Sequence, residues 1–163
     1  MAKSKEEKTN VMRVLEQKKI AYTAHTYPHE EGMAVDGVTV AKSMGFDPAI
    51  VFKTLVARGA SKQYYVFDVP VAENLDLKKA AKAVGEKSIE MIHQKELLPL
   101  TGYVHGGCSP VGMKKLFPTV FHETAENLET MIVSAGKIGY QVELAPHDLA
   151  ALVRAKFADI IVE

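Results

Sequence analysis

The sequence predicts an α+β fold in one domain spanning residues 1–163. Two observations predict the fold class and a third the single domain. Strand-like runs are short, and several are joined by Gly-containing turns. Helical segments fall among them without the regular alternation of a parallel doubly wound sheet, which favours a mixed, largely antiparallel sheet. No linker, internal repeat or low-complexity segment divides the chain, so one core is expected.

The elements follow in order. Thr9–Lys19 sets Val11, Met12, Val14 and Leu15 at helical spacing, with charges on the other face. Ile20–Tyr27 reads as a strand stopped by Pro28, which has no N–H for a ladder. His29–Asp36 is polar and reads as a loop, and Val38–Met44 as a helix ended by Gly45. Asp47-Pro48 opens a turn. Val51–Ala57 and Tyr64–Val69 then form a hairpin around Arg58–Lys62. Asp76 caps a helix over Leu77–Val84, which Gly85 terminates. Ser88–Met91 is a strand, and Gln94–Leu98 a short helix ended at Pro99. Tyr103-Val104 enters the Gly-rich loop Gly106-Gly107-Cys108-Ser109-Pro110. Thr119–His122, Met131–Ser134 and Gln141–Leu144 read as strands, the last two joined through Gly136–Gly139. Pro146 opens a helix to Arg154, and Ile160–Val162 is the last expected strand.

Composition narrows the function. Apolar residues make up 47% of the chain and charged residues 25%, ordinary values for a globular protein, and net charge is zero. That excludes a strongly basic nucleic-acid coat but leaves room for a local RNA-binding patch. No apolar run approaches the roughly 20 residues that span a bilayer. The charged start Met1–Lys8 does not resemble a secretory signal. A lone cysteine, Cys108, excludes an internal disulfide and suits a reducing cytoplasm.

The common catalytic signatures are absent: no GxxxxGK[ST], GxSxG, HExxH or CxxC occurs. What remains is a set of residues with two readings each. Lys53 lies in an apolar strand on the face of Val51 and Leu55, either snorkelling at an edge or entering a cleft. Gly106, Gly107 and Pro110 mark either a structural turn or a loop whose amides receive an oxyanion. Cys108, with His105 nearby, is either a small buried residue or a nucleophile. His25 and His29, with Glu30 or His122, lack a known ligand spacing, so no metal is expected. Lys78, Lys79, Lys82, Lys87, Lys114 and Lys115 are a solvated face or phosphate contacts.

Taken together, Phe52–Leu55, Leu75–Gly85, Thr101–Pro110 and Val133–Lys137 resemble the YbaK/EbsC family, as do His25–Tyr27 and Pro146–Leu149. They run in the family's order across nearly the whole chain. The resemblance implies a strongly curved mixed sheet surrounded by helices, shared with the editing domain of bacterial prolyl-tRNA synthetases. It implies deacylation of mischarged tRNA, closest to the branch that removes cysteine from tRNA for proline, in the cytoplasm and without a cofactor. Lys53 matches the family's essential lysine, and Gly106 with Pro110 its GxxxP loop. Tyr27, Thr54 and Ser134 match pocket positions, Gly107, Cys108 and Ser109 complete the loop, and Asp148 is transferred near the last helix start. Partners implied are the aminoacylated end of tRNA and prolyl-tRNA synthetase. No general base stands out, and the family's substrates are thought to assist themselves, cysteine through its own thiol. The chain departs from the branch in having Cys108 for an aliphatic residue and Met113 for Gln. A deacylase for alanine and a non-catalytic tRNA- or synthetase-binding module are the competing expectations.

Overall fold

The computed structural model describes residues 8–29, 33 and 35–163. The charged start before Lys8, and Glu30 of the histidine group, lie outside the described residues. Thr9 caps helix α1 (Asn10–Gln17) by accepting from the Met12 amide, and the helix buries Val11, Met12 and Leu15. Its end turns sharply: Lys19 takes φ 60° and the Ile20 amide bonds back to the Leu15 carbonyl. Strand β1 is therefore confined to Thr23–Thr26, shorter than the alternation suggested.

Asp36 caps α2 (Gly37–Ser43), and a short 3-10 helix at Pro48–Ile50 leads into β2 (Phe52–Gly59). The expected hairpin pairs β2 antiparallel with β3 (Tyr64–Pro70). Helix α3 (Leu77–Val84) is capped by Asp76 and stopped by Gly85 in the left-handed conformation, as the sequence predicts. After β4 (Ile89–Met91), helix α4 runs Gln94–Thr101, straight through Pro99. The carbonyl deprived of its bond belongs to exposed Lys95, where water can replace the missing donor. The helix then closes on Gly102, whose amide bonds to the Leu98 carbonyl.

The remaining elements are β5 (Thr119–His122), β6 (Met131–Ser134), β7 (Tyr140–Leu144), α5 (Pro146–Val153) and β8 (Ala155–Ala158). The last strand thus precedes Ile160–Val162. Of that expected strand, Ile161 makes only an isolated bridge to Leu75. Arg154, at φ 58°, ends α5 early enough for Ala155–Ala158 to pair with β5.

The expected mixed, largely antiparallel strands divide between two sheets, ordered β1-β7-β6 and β4-β2-β3-β5-β8. Among the strand pairs of the described residues, only β3–β5 and β5–β8 are parallel. A single parallel bridge, Val51 to Ile132, links the sheets through backbone. One core packs α1 and α5 on the three-stranded sheet through Val11, Leu15, Met131, Val142 and Leu149. Another packs α3 on the five-stranded sheet through Phe67, Ala80, Val120 and Ile160. Each fully buried Leu or Phe contributes roughly 1.5–3 kcal/mol, which fixes the walls on which the site is built. No described helix is long and apolar enough to cross a membrane.

Candidate active site

The site follows from how β2 is shared. Strand β4 covers β2 only from Ala57 to Gly59, so the half carrying Lys53, Thr54 and Leu55 has β3 on one side and no strand on the other. Where this half diverges toward β6, meeting it only at Val51–Ile132, a cleft of about 340 Å³ opens. That volume lies at the small end of ligand pockets. Its lining includes Tyr27, Asp36, Lys53, Thr54, His105, Gly106, Cys108, Ser134 and Gln141. Six of the residues expected from the sequence are therefore brought together from four parts of the chain.

Lys53 is half-buried, and no described carboxylate lies within ion-pair distance of it. Burial lowers its pKa from the ordinary lysine value, partly offset by attraction to Asp36 and Glu73. Both readings of its strand position hold something: its segment is an unpaired edge, and that edge is the cleft wall. Thr54 donates from Oγ1 to Asp68 Oδ1 at 2.5 Å, directly across the β2–β3 pair. Asp68 is 0% exposed, and burial pushes its pKa up to about 7. The sequence marks this carboxyl only as a lone charge in the apolar run Tyr64–Val69.

The Gly-rich loop lines the same cleft as Lys53. Gly106 sits at φ 90°, a conformation open to glycine and strained for other residues. Gly107 runs so close to the β6–β7 turn that a Cβ would meet the Ile138 nitrogen at 3.1 Å. Its amide is engaged with the Val104 carbonyl at 2.9 Å. The amides of Gly106 and Cys108 donate to no described residue, which leaves two backbone donors beside the cleft. Ser109 is fully buried and its hydroxyl accepts from the Val111 amide. Pro110 does not line the cleft; it stiffens the loop from behind, at a smaller apolar hollow with Val14, Met113 and Phe117.

Cys108 is 7% exposed, and burial, with Asp68 adding repulsion, pushes its thiol up to about 12. A thiol so protonated is a poor nucleophile at neutral pH. It makes no hydrogen bond with His105; the Thr101 hydroxyl is its polar neighbour. Ser134 accepts from the Gly136 amide at 3.1 Å and stands opposite Gln141 in the β6–β7 register. Gln141 is buried in the cleft lining, and its Oε1 has no partner among the described residues. In the sequence it stands only as the first residue of the expected strand Gln141–Leu144, with no motif to mark it. Asp148 is exposed in the first turn of α5 and is not among the lining residues.

The histidines are dispersed. His25 pairs with Glu143 at 2.8 Å, His29 bonds the Tyr27 carbonyl, and buried His122 accepts from the Ile160 amide. Among the lysines, Lys79 is tied to Asp159 and Glu163, and Lys114 bonds the Pro99 carbonyl.

Comparison with known proteins finds relatives over nearly the whole chain. A protein of Enterococcus faecalis (strain ATCC 700802 / V583) named "Putative Cys-tRNA(Pro)/Cys-tRNA(Cys) deacylase EbsC" is 46% identical over 161 residues, covering 98% of each chain. A structure described as "a putative trans-editing enzyme for prolyl tRNA synthetase" superposes with TM-score 0.79 at 25% identity, covering 94% of this chain and 95% of that one. The hypothetical protein APE2540 shares the fold, with TM-score 0.82 at 18% identity over 93% of this chain and 99% of its own. The model of the aminoacyl-tRNA editing domain family matches residues 29–152, a span holding Lys53, the Gly-rich loop and both cleft strands β6 and β7. On that match and the full-length similarity, the chain belongs to the aminoacyl-tRNA editing domain family.

Proposed function

We propose that this protein is a free-standing aminoacyl-tRNA deacylase that works in the cytoplasm as a single editing domain and removes cysteine from tRNA for proline. The observation that carries the proposal is the pairing, in one small cleft, of an ammonium without an ion-pair partner and two free backbone donors. The ester joining an amino acid to the terminal ribose is already activated, so its cleavage needs positioning and stabilisation of an oxyanion. The Gly106 and Cys108 amides suit the oxyanion, with each such donor worth about 100- to 1000-fold in rate. Lys53 suits the terminal phosphate or the developing negative charge.

The attacking group comes from the substrate. Cys108 is held neutral, and Asp36, the lining carboxylate, is committed to capping α2 through the Thr39 amide and hydroxyl. Cysteine on tRNA brings its own thiol, with a free pKa of about 8.5, and a neighbouring ammonium favours the thiolate. The Lys53 charge thus serves twice, promoting the nucleophile and steadying the anion it produces. The zero net charge supports a partner that supplies tRNA selectivity, such as prolyl-tRNA synthetase.

The test compares release of labelled amino acid from cysteinyl- and alanyl-tRNA for proline, by the natural protein and Lys53→Ala. Rapid, Lys53-dependent loss of cysteine is expected. Preference for alanine would move the protein to another substrate branch. Absence of release from both, with the protein folded, would refute the deacylase and leave a binding module.

A further inference from the structure

Beneath the cleft, a second layer controls one of its polar groups. Asp68 is buried on β3 and is hydrogen-bonded to Thr54, which lines the cleft. One carboxyl oxygen, Oδ1, is bonded to the Thr54 hydroxyl; the other, Oδ2, has no partner among the described residues. No charged side chain among the described residues compensates it. Strand β2 sets Thr54 opposite it, β5 sets Phe121 opposite it, and the neutral Cys108 of the Gly-rich loop is near enough to feel its charge. A carboxylate in such surroundings is costly, and the neutral acid is favoured up to near-neutral pH.

The hydroxyl of Thr54 has one proton to place. An ionised carboxyl accepts only, so Thr54 must then turn its proton down to Oδ1 and offers the cleft lone pairs alone. A protonated carboxyl has a donor of its own. With the proton on Oδ2 that donor would be buried unbonded; with the proton on Oδ1 it is bonded by Thr54, so the second arrangement is favoured. Thr54 then accepts from below and its own proton is free to point into the cleft.

We propose that Asp68 is a positioning residue that, while protonated, turns Thr54 into a hydrogen-bond donor toward the reacting ester, a donor withdrawn when Asp68 ionises. This rests on the deacylase function proposed above. Within that function it adds a third donor to the Gly106 and Cys108 amides and makes its strength depend on pH.

The experiment measures single-turnover release of cysteine from cysteinyl-tRNA for proline between pH 5.5 and 8.5. It uses the natural protein, Asp68→Asn, Thr54→Val and Thr54→Ser. Dividing each variant's rate by the natural rate at the same pH cancels ionisation of the substrate's thiol. Asp68→Asn cannot ionise and can donate to Thr54 at all pH values. Its ratio should start near one and climb about tenfold across neutrality, as the natural protein loses its donor. Thr54→Val lacks the donor throughout, so its ratio should begin about tenfold below one and approach one at high pH. Thr54→Ser keeps the hydroxyl, so whatever its absolute rate its ratio should not change with pH. A flat ratio for Thr54→Val overturns the proposal, and so does a flat ratio for folded Asp68→Asn. Should Asp68→Asn fail to fold, the Thr54→Val ratio decides alone. Failure of the natural protein to release cysteine refutes the underlying function instead, so the two failures are distinguishable.

Discussion

Replacing Gly106 by alanine separates a structural glycine from one that aims a catalytic amide. Gly106 lies at φ 90°, where an L-residue costs about 1–3 kcal/mol. The loop can hold its shape and carry that strain, or relax φ and swing the neighbouring peptide groups away from the cleft. Gly85 provides the control: it too is left-handed, at φ 75°, with nothing within 4 Å of an added Cβ, at the end of α3. Both substitutions should lower the melting temperature by a few degrees, since about 1 kcal/mol moves a domain of this size by roughly 2–4 °C. Only Gly106→Ala should also lose deacylation, by about 100-fold or more, the cost of one misplaced oxyanion donor. Calorimetry and single-turnover release of labelled cysteine read the two quantities on the same samples. Full activity in Gly106→Ala, at any stability, would refute the assignment of these amides to the oxyanion.

Three further outcomes are expected. Lys53→Met keeps the aliphatic stem and removes a desolvated charge that lacks an ion pair; it should leave thermal stability unchanged or raised while abolishing deacylation, and a clear fall in stability would mean that Lys53 is a structural residue. Cys108→Ala should remain an active deacylase, and in the natural protein the thiol should resist iodoacetamide at pH 8, because burial holds it up at about 12; rapid alkylation of folded protein would contradict that. For stability, Asp68 has a folded pKa raised to about 7 above its ordinary value near 3.8, so its contribution is intact below the lower value and lost as pH rises toward the upper one. Denaturation of Asp68→Asn and natural protein should therefore favour the variant more at pH 8 than at pH 5, and an equal difference at both would show that Asp68 does not titrate in this range.

Local signals carried much of the fold. Asp76 and Gly85 bracket α3 because capping and left-handed termination depend on those residues alone. The β2–β3 hairpin is equally local. Pro99 misled because its effect depends on whether the stranded carbonyl can be solvated, which exposure of Lys95 decides. Strand β8, Ala155-Lys156-Phe157-Ala158, has little strand propensity of its own and exists through parallel pairing with β5, far earlier in the chain. The division into two sheets was likewise invisible, because it arises where β4 stops covering β2. In the site, Lys53 and Gly106 were legible through short motifs. Asp68 and Gln141 were not, since their places in the site come from cross-strand neighbours, Thr54 and Ser134, rather than from spacing along the chain.

The uncovered stretch of β2 also bears on how the site can change. Along Lys53–Leu55, residues that line the cleft, one side of β2 has no pairing strand. Peptide groups there are the same whatever side chain they carry, so their polarity persists through substitution of every neighbouring residue. Alanine scanning will consequently undercount this site. Side-chain replacement can retune which amino acid the cleft receives, while the capacity to bind an ester's polar atoms endures for as long as the two sheets stay parted.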